Sequence, residues 1–491
     1  LINLSKQMNS VENLIEKILK YLILVFPFLL VSGPFLPDLV CVLIGLFYIF
    51  YLIKERNFEY FKNYKIIFLI IFFFYININS FISFNPLISF GSTLGYGRII
   101  LFILGLSYLL NKYPEIKISF FYFSLICYFL LLFDSTFQFI YGKNIIGFEL
   151  LNNSRISSFF GDELIMGSFI SRLLPLLLGL SFLLTDHKNI KIIRFFLVFC
   201  SLILVIYSGE RLATAYMFFI ITFYFYIDFN KKKILAFLII FGIIFSILPR
   251  EQNTFVNRIF THTYNQYKET GSVLKFSYRH YLHYQTAYKM FLDNIMFGQG
   301  VKSFRYLCDK DKFSINKKIV NDNTLLSNHD AYINLSNDGS SSLLINLVNN
   351  LTENENIITY KIPKKNILEV YVEEGSFVKK GDPIIAHNEF KDGCNTHPHS
   401  LYMQFLSELG LIGFMFIVIV FSFAIYNLIG IGIRKLNNNI NSIDKFNAFI
   451  YLEIFMNFFP FLPSGNFFNN WMLLIVHIQI GFYMALNQNK K

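Results

Sequence analysis

Charge is scarce in this chain. Of its 491 residues only 15% are Asp, Glu, Lys or Arg, against 54% hydrophobic and 19% aromatic. A soluble domain is nearer a quarter charged, so this composition excludes an ordinary soluble enzyme and describes a polytopic membrane protein. Cysteine is scarce too. Five are too few for a disulfide scaffold. No small-residue cleavage site follows the apolar stretch 21–31, so the first span is expected to be retained rather than removed as a signal. What is abundant is aromatic bulk, with 61 Phe and 30 Tyr, and an excess of positive charge, +11 net. That excess raises nucleic-acid binding as a possibility, and its distribution argues against it.

Twelve apolar segments are expected to span, at about 20–33, 35–53, 65–83, 98–111, 117–141, 164–184, 190–208, 211–228, 234–249, 401–430, 446–463 and 468–486. The first, fourth and ninth are short. Lys and Arg favour cytoplasmic connections. With the N-terminus inside, the inside connections hold Lys6, Lys17 and Lys20, then Lys54, Arg56, Lys62 and Lys65, then Lys112 and Lys117. Further on they hold Lys188, Lys191, Arg194, Lys231, Lys232, Lys233, Arg434, Lys435, Lys445, Lys490 and Lys491. The short outside connections hold only Arg98, Lys143, Arg155 and Arg211. The positive charge is therefore mainly a topology pattern, and both termini are expected in the cytoplasm. The long connection 250–400 falls outside and is nearly neutral, with 18 Lys/Arg and 16 Asp/Glu.

Arginine on the outside works against topology and costs desolvation, so each case is a functional candidate. Arg98 opens a span in "GYGRII", and Arg155 precedes another in "NNSRISSFFGDELIMG". Glu210 and Arg211 share the turn of "YSGERLATAY" between two spans. The bland reading is snorkelling to headgroups; it is weakest for Arg211, whose short turn aims the guanidinium at one place. A guanidinium fork suits phosphate, and several in one outside pocket suggest a pyrophosphate on a polyprenyl carrier.

In the long connection, 276–304 has the apolar spacing of an interfacial amphipathic helix, with Gly298 and Gly300 at its end and Arg279 near its start. His280 and His283 on it read as packing or hydrogen-bonding residues. Residues 305–392 turn polar and strand-like. "NILEVYVEEGSFVKKGDPIIAHNEF" resembles half of a barrel-sandwich (biotinyl/lipoyl-like) module, without the hairpin lysine that carries such a cofactor, so none is expected. The insert reads as a small β unit shaping access to a site. Cys308 and Cys394 bracket it on the oxidising side and are expected to form a disulfide; Cys41, Cys127 and Cys200 fall in spans.

The chain then reaches "HPHSLYMQFLSELGLIGF", residues 397–414, which puts His397 and His399 at the mouth of a span. This stretch resembles the signature of the O-antigen ligase and polymerase superfamily in His399, Tyr402, Gln404, Glu408, Gly410 and Gly413, with Ser400 where that pattern usually has asparagine. "SGERLA", the Arg279-led helix and "RISSFFGDELIMG" resemble further parts of it. The resemblance implies an all-helical, GT-C-like membrane glycosyltransferase of about 12 spans. It would move glycan from undecaprenyl pyrophosphate to an acceptor hydroxyl, on lipid A–core for a ligase or on a growing glycan for a polymerase. A protein O-oligosaccharyltransferase is a third option in the same superfamily. A lipid-linked glycan flippase is the option from another class, and it would need charges through the midplane.

In this scheme His399 is the general base, since an imidazole can take a hydroxyl proton near neutral pH. Arg211 and Arg279 stabilise the departing diphosphate, with Arg98 or Arg155 in support. His397 is a structural or a secondary hydrogen-bonding residue, and Glu408 orients His399 or an arginine or pairs within the bundle. No metal is expected: the histidines are separated by Pro398, and acidic residues close to them are sparse. Expected partners are the lipid-linked donor, the acceptor and membrane lipids, without nucleic acid.

Overall fold

The apolar runs fold into helices whose ends are set by a few local residues. In a computed structural model, helix α1 (Ile2–Val31) stops before Gly33 and Pro34, and α2 (Phe35–Glu55) ends at Arg56 in the left-handed conformation. The Asn63 side chain accepts a hydrogen bond from the Lys65 amide and starts α3 (Tyr64–Phe81). Asn85 does the same for Ile88 in α4 (Pro86–Thr93), with Pro86 in the first turn. Then come α5 (Gly97–Lys112), α6 (Glu115–Tyr141), α7 (Met166–Leu183), α8 (Ile190–Ser208) and α9 (Arg211–Ile227). After the long connection begins, α10 (Tyr278–Asp293) and the one-turn α11 (Phe304–Leu307) precede a β insert. The chain closes with α12 (Leu401–Leu436), α13 (Ser442–Asn457) and α14 (Asn470–Asn487). The structure describes residues 2–150, 155–184, 189–228, 231–232, 234–235, 237–239, 264, 267–268, 277–315, 318–327, 330–338, 342–348, 358–363, 367–391 and 393–487.

Among the described residues, seven helical stretches are long and apolar enough to cross a membrane: α2, α3, α4 with α5 (Pro86–Lys112), α6, α7, α8 and α12. Helices also cover most of the expected segments 20–33, 211–228 and 468–486, in α1, α9 and α14, and the first part of 446–463, where α13 ends at Asn457, without being as long and apolar as those seven. The ninth expected span, 234–249, lies mostly outside the described residues. The chain is a mostly helical, polytopic membrane protein. Phe74, Phe129 and Phe133 stand exposed on the bundle, which suits hydrocarbon rather than water. By contrast α7 is buried on nearly every side, packed against α8, α9 and α13, as an all-round apolar helix should be.

Ionic contacts gather residues of the lysine-rich connections with one another: Lys20 with Glu115, Lys54 with Glu12, Lys112 with Glu16, Arg194 with Asp228 and Arg434 with Asp444. None of these residues comes from the connections that carry Arg98, Arg155 or Arg211.

Among the described residues the insert holds seven strands. One antiparallel sheet has the order β1 (Lys318–Leu326), β7 (Pro383–Lys391), β5 (Ile367–Val370). The other has the order β4 (Ile358–Pro363), β3 (Ser342–Val348), β2 (Ala331–Asp338), β6 (Phe377–Val378). Ile333, Ile345, Leu347, Ile384 and Ile385 are fully buried between them, a core of its own. At the base Cys308 and Cys394 are disulfide-bonded with Cα atoms 5.1 Å apart, so the insert leaves and re-enters the chain at nearly one point.

One irregularity positions the site. Helix α12 is broken at Gly410, with φ 64° and ψ −165°. The freed groups pair with the loop after α10. The amides of Gln299 and Gly300 donate to the carbonyls of Ser407 and Glu408, and Leu411 donates to Ile295, each at 2.8 Å. Only glycines allow this approach: a Cβ on Gly298 would lie 2.6 Å from the Glu408 backbone, and one on Gly410 2.4 Å from that of Met296. The expectation that Gly298 and Gly300 merely end a helix is thus corrected. The helix ends at Asp293, and the glycines stitch its loop to α12.

Candidate functional site

His399 sits just ahead of α12, whose first turn is capped by the Ser400 side chain accepting from the Met403 amide. Its backbone is left-handed, φ 58°, which is uncommon outside glycine and marks a constrained position. The Ser464 amide donates to the His399 carbonyl at 3.0 Å, and the Tyr284 hydroxyl reaches the same oxygen at 3.5 Å. Its Nε2 lies 2.9 Å from the Asn395 side-chain amide.

The ring does not stand alone. His397, His280 and His283 contact it with centroids at 4.2, 4.9 and 5.3 Å, the latter two stacked. His280 and His283, expected as packing or hydrogen-bonding residues, pack on His399 itself, a partner the sequence reading did not name. Their spacing on one helix face, directly after Arg279, was the available signal. Burial, and then the neighbouring His399, lower His397 and His280 to about 4 and His283 to about 3. Burial, and then Arg279, hold His399 below the usual imidazole value. All four rings are neutral near pH 7, the form in which an imidazole accepts a proton. They stack rather than converge. Among the described residues no group of three or more His, Cys, Asp or Glu side chains is arranged to hold a metal ion.

The arginines separate into two sets. Arg279, exposed on α10, acts electrostatically on His280, His283 and His399, and Arg211 acts on His280. Arg211 is placed by Glu210, whose carboxylate accepts from the Gly167 amide at 2.7 Å and the Ser168 hydroxyl at 2.6 Å, capping α7 from a neighbouring turn. Arg155 is buried and donates through Nε to the Ser208 carbonyl at 3.0 Å, bracing the same turn. Arg98 is engaged elsewhere: it pairs with Asp38 at 2.9 Å and donates to the Gly95 carbonyl at 2.6 Å. Glu408 takes the last of the roles expected for it, pairing within the bundle. It is 1% exposed and accepts from Gln404 Nε2 at 3.0 Å and from the Phe304 amide at 3.4 Å, so it holds the loop after α10.

Sequence reasoning also missed Arg172, which is 2% exposed within α7 and donates to Asn457 Oδ1 at 3.1 Å. It lines an apolar cavity of about 130 Å³ with Phe72, Phe405, Phe467, Tyr96 and His477. Ser464, whose amide donates to the His399 carbonyl, lines the same cavity, which places one wall of it next to the His399 backbone.

Fold and site together define a polytopic membrane protein with a histidine and arginine site at one face of the bundle. Residues 196–334 match the family described as O-antigen ligase, which agrees with the resemblance read from residues 397–414. The matched stretch takes in the Ser-Gly-Glu-Arg turn and α10 and ends within the insert. It supports a membrane glycosyltransferase of the ligase and polymerase type. No curated protein and no solved structure matches the chain.

Proposed function

We propose that the protein is an O-antigen ligase that transfers glycan from undecaprenyl pyrophosphate to a hydroxyl of lipid A–core, at the periplasmic face of the bacterial inner membrane. The observation that carries this reading is the convergence on His399 of three distant segments: the 397–399 stretch, α10 with Arg279, and through His280 the Arg211 turn. Neutral His399 takes the acceptor hydroxyl's proton as the new glycosidic bond forms. Arg211 and Arg279 take up the charge that develops on the departing diphosphate. The aromatic cavity below suits part of an isoprenoid chain, which would hold the donor in register. The lysine-rich connections face the cytoplasm in this reading, and the β insert shapes access from outside.

Deleting the gene tests it. A ligase null leaves bare lipid A–core with long glycan stranded on the carrier. Core capped with a single repeat unit would instead identify a polymerase and overturn the ligase assignment.

A further inference from the structure

The row of imidazoles has two ends. His280, stacked on His399, is acted on by Arg211 and Arg279; His397, also against His399, is acted on by Arg305. The Arg211 end is used by the reaction proposed above, whereas the Arg305 end has no role in it. Arg305 belongs to α11, and the disulfide fixes its place. It stands three residues before Cys308, and His397 stands three after Cys394, across a Cα separation of 5.1 Å. Phe304, fully buried against Met290 and Leu307, pins the turn, and its amide donates to Glu408.

Several polar groups here are unsatisfied among the described residues. Arg305 Nε and the Ser303 hydroxyl are buried with no hydrogen-bond partner, Ser303 being 5% exposed. Among the described residues neither Arg305 nor Lys302 makes a close ion pair; the buried Glu408 carboxylate acts electrostatically on both while it accepts from Gln404 and Phe304. Lys302 also holds a left-handed backbone, φ 62°, that a lysine rarely adopts. Buried donors without acceptors cost free energy and mark a place for a ligand. Two cations and a hydroxyl select an anion.

We propose that Lys302, Arg305 and Ser303 form a second anion subsite, at the His397 end of the row, for a phosphate or carboxylate carried by the acceptor saccharide. The proposal rests on the glycosyltransferase reading. With the donor diphosphate at the Arg211 end, the hydroxyl must reach His399 from the opposite side of the reacting sugar. An anion gripped at the His397 end would orient it.

The test uses the full chain in detergent, titrated with pyrophosphate, a hexose monophosphate and glycerophosphate and followed by phosphorus NMR. Wild type should bind the hexose phosphate with pyrophosphate already bound. Arg305→Gln should weaken the hexose phosphate roughly tenfold, the loss expected for one charge-assisted hydrogen bond. Pyrophosphate binding should stay within about twofold, and Arg305→Lys should recover most of the loss. Arg211→Gln should show the reverse pattern. Hexose phosphate that fails to bind while pyrophosphate binds overturns the subsite and leaves the function standing. Failure of pyrophosphate alone overturns the function and leaves the subsite. Glycerophosphate binding as tightly as hexose phosphate would assign the site to a lipid headgroup and overturn the acceptor assignment.

Discussion

Gly410→Ala tests whether the stitch between α12 and the loop after α10 builds the site. The residue sits at φ 64° and ψ −165°, a region essentially reserved for glycine, and holding alanine there costs about 1–3 kcal/mol. The added Cβ would also meet the Met296 carbonyl carbon at 2.4 Å and the Phe297 amide nitrogen at 2.5 Å. Both are backbone atoms, so relief means pulling the two chains apart. That strains the bonds from Gln299, Gly300 and Leu411, worth about 1 kcal/mol each. Together the destabilisation is on the order of 4 kcal/mol. Thermal unfolding of the purified protein should show it as a lower midpoint. Glycan transfer should fall further than stability accounts for, because the separating loop carries α10 with Arg279 and His280. Gly430→Ala is the control: a Cβ there meets nothing closer than the Arg434 guanidinium at 3.9 Å, so both readouts should stay near wild type. A Gly410→Ala protein as stable and active as wild type would refute the reasoning.

Four further outcomes follow from the site. His399→Ala should abolish transfer while membrane insertion and unfolding are unchanged; near-normal transfer removes the general base. Arg211→Lys keeps the charge but loses the fork, and should cost roughly 1.5–3 kcal/mol of transition-state stabilisation, about ten- to a hundredfold in kcat/KM; full activity would reduce Arg211 to snorkelling. His399 must be neutral to act, so activity should fall as pH drops through its value. Burial and Arg279 put that value below 6.5, so the acid limb of kcat/KM should lie below 6.5, and Arg279→Gln should move the limb of the residual activity upward. A limb unmoved by the substitution would deny the electrostatic contact. Non-reducing mass spectrometry should recover Cys308 joined to Cys394, and Cys394→Ser should lower transfer by loosening the segment that carries His397 and His399; free thiols in the native protein would contradict the pairing.

Composition and the placement of lysine determined a great deal by themselves. Hydrocarbon tolerates only helices or closed barrels, whose backbones are satisfied, and long continuous apolar runs with rare charge select helices. The same cost of charge made Arg211 conspicuous, because a cation placed against topology stands out in short connections that otherwise avoid it; Arg279 was marked only by its place near the start of an amphipathic helix. The alternation and turns of residues 366–390 marked strands in advance, since a period of two is local.

Tertiary structure decided what depends on neighbours distant in sequence. Nothing along the chain says that Asp38 would claim Arg98, or that Glu408 would turn to the Phe304 amide, because both choices are made by helices that meet only on folding. His280 and His283 look like ordinary residues of an amphipathic helix until α10 is laid beside His399. Arg305 had no reason to be noticed before a disulfide set it beside His397. An apolar pattern specifies which face of a helix is hidden; which ring or guanidinium it then meets is a long-range packing outcome, and that is where the chemistry of this site was assembled.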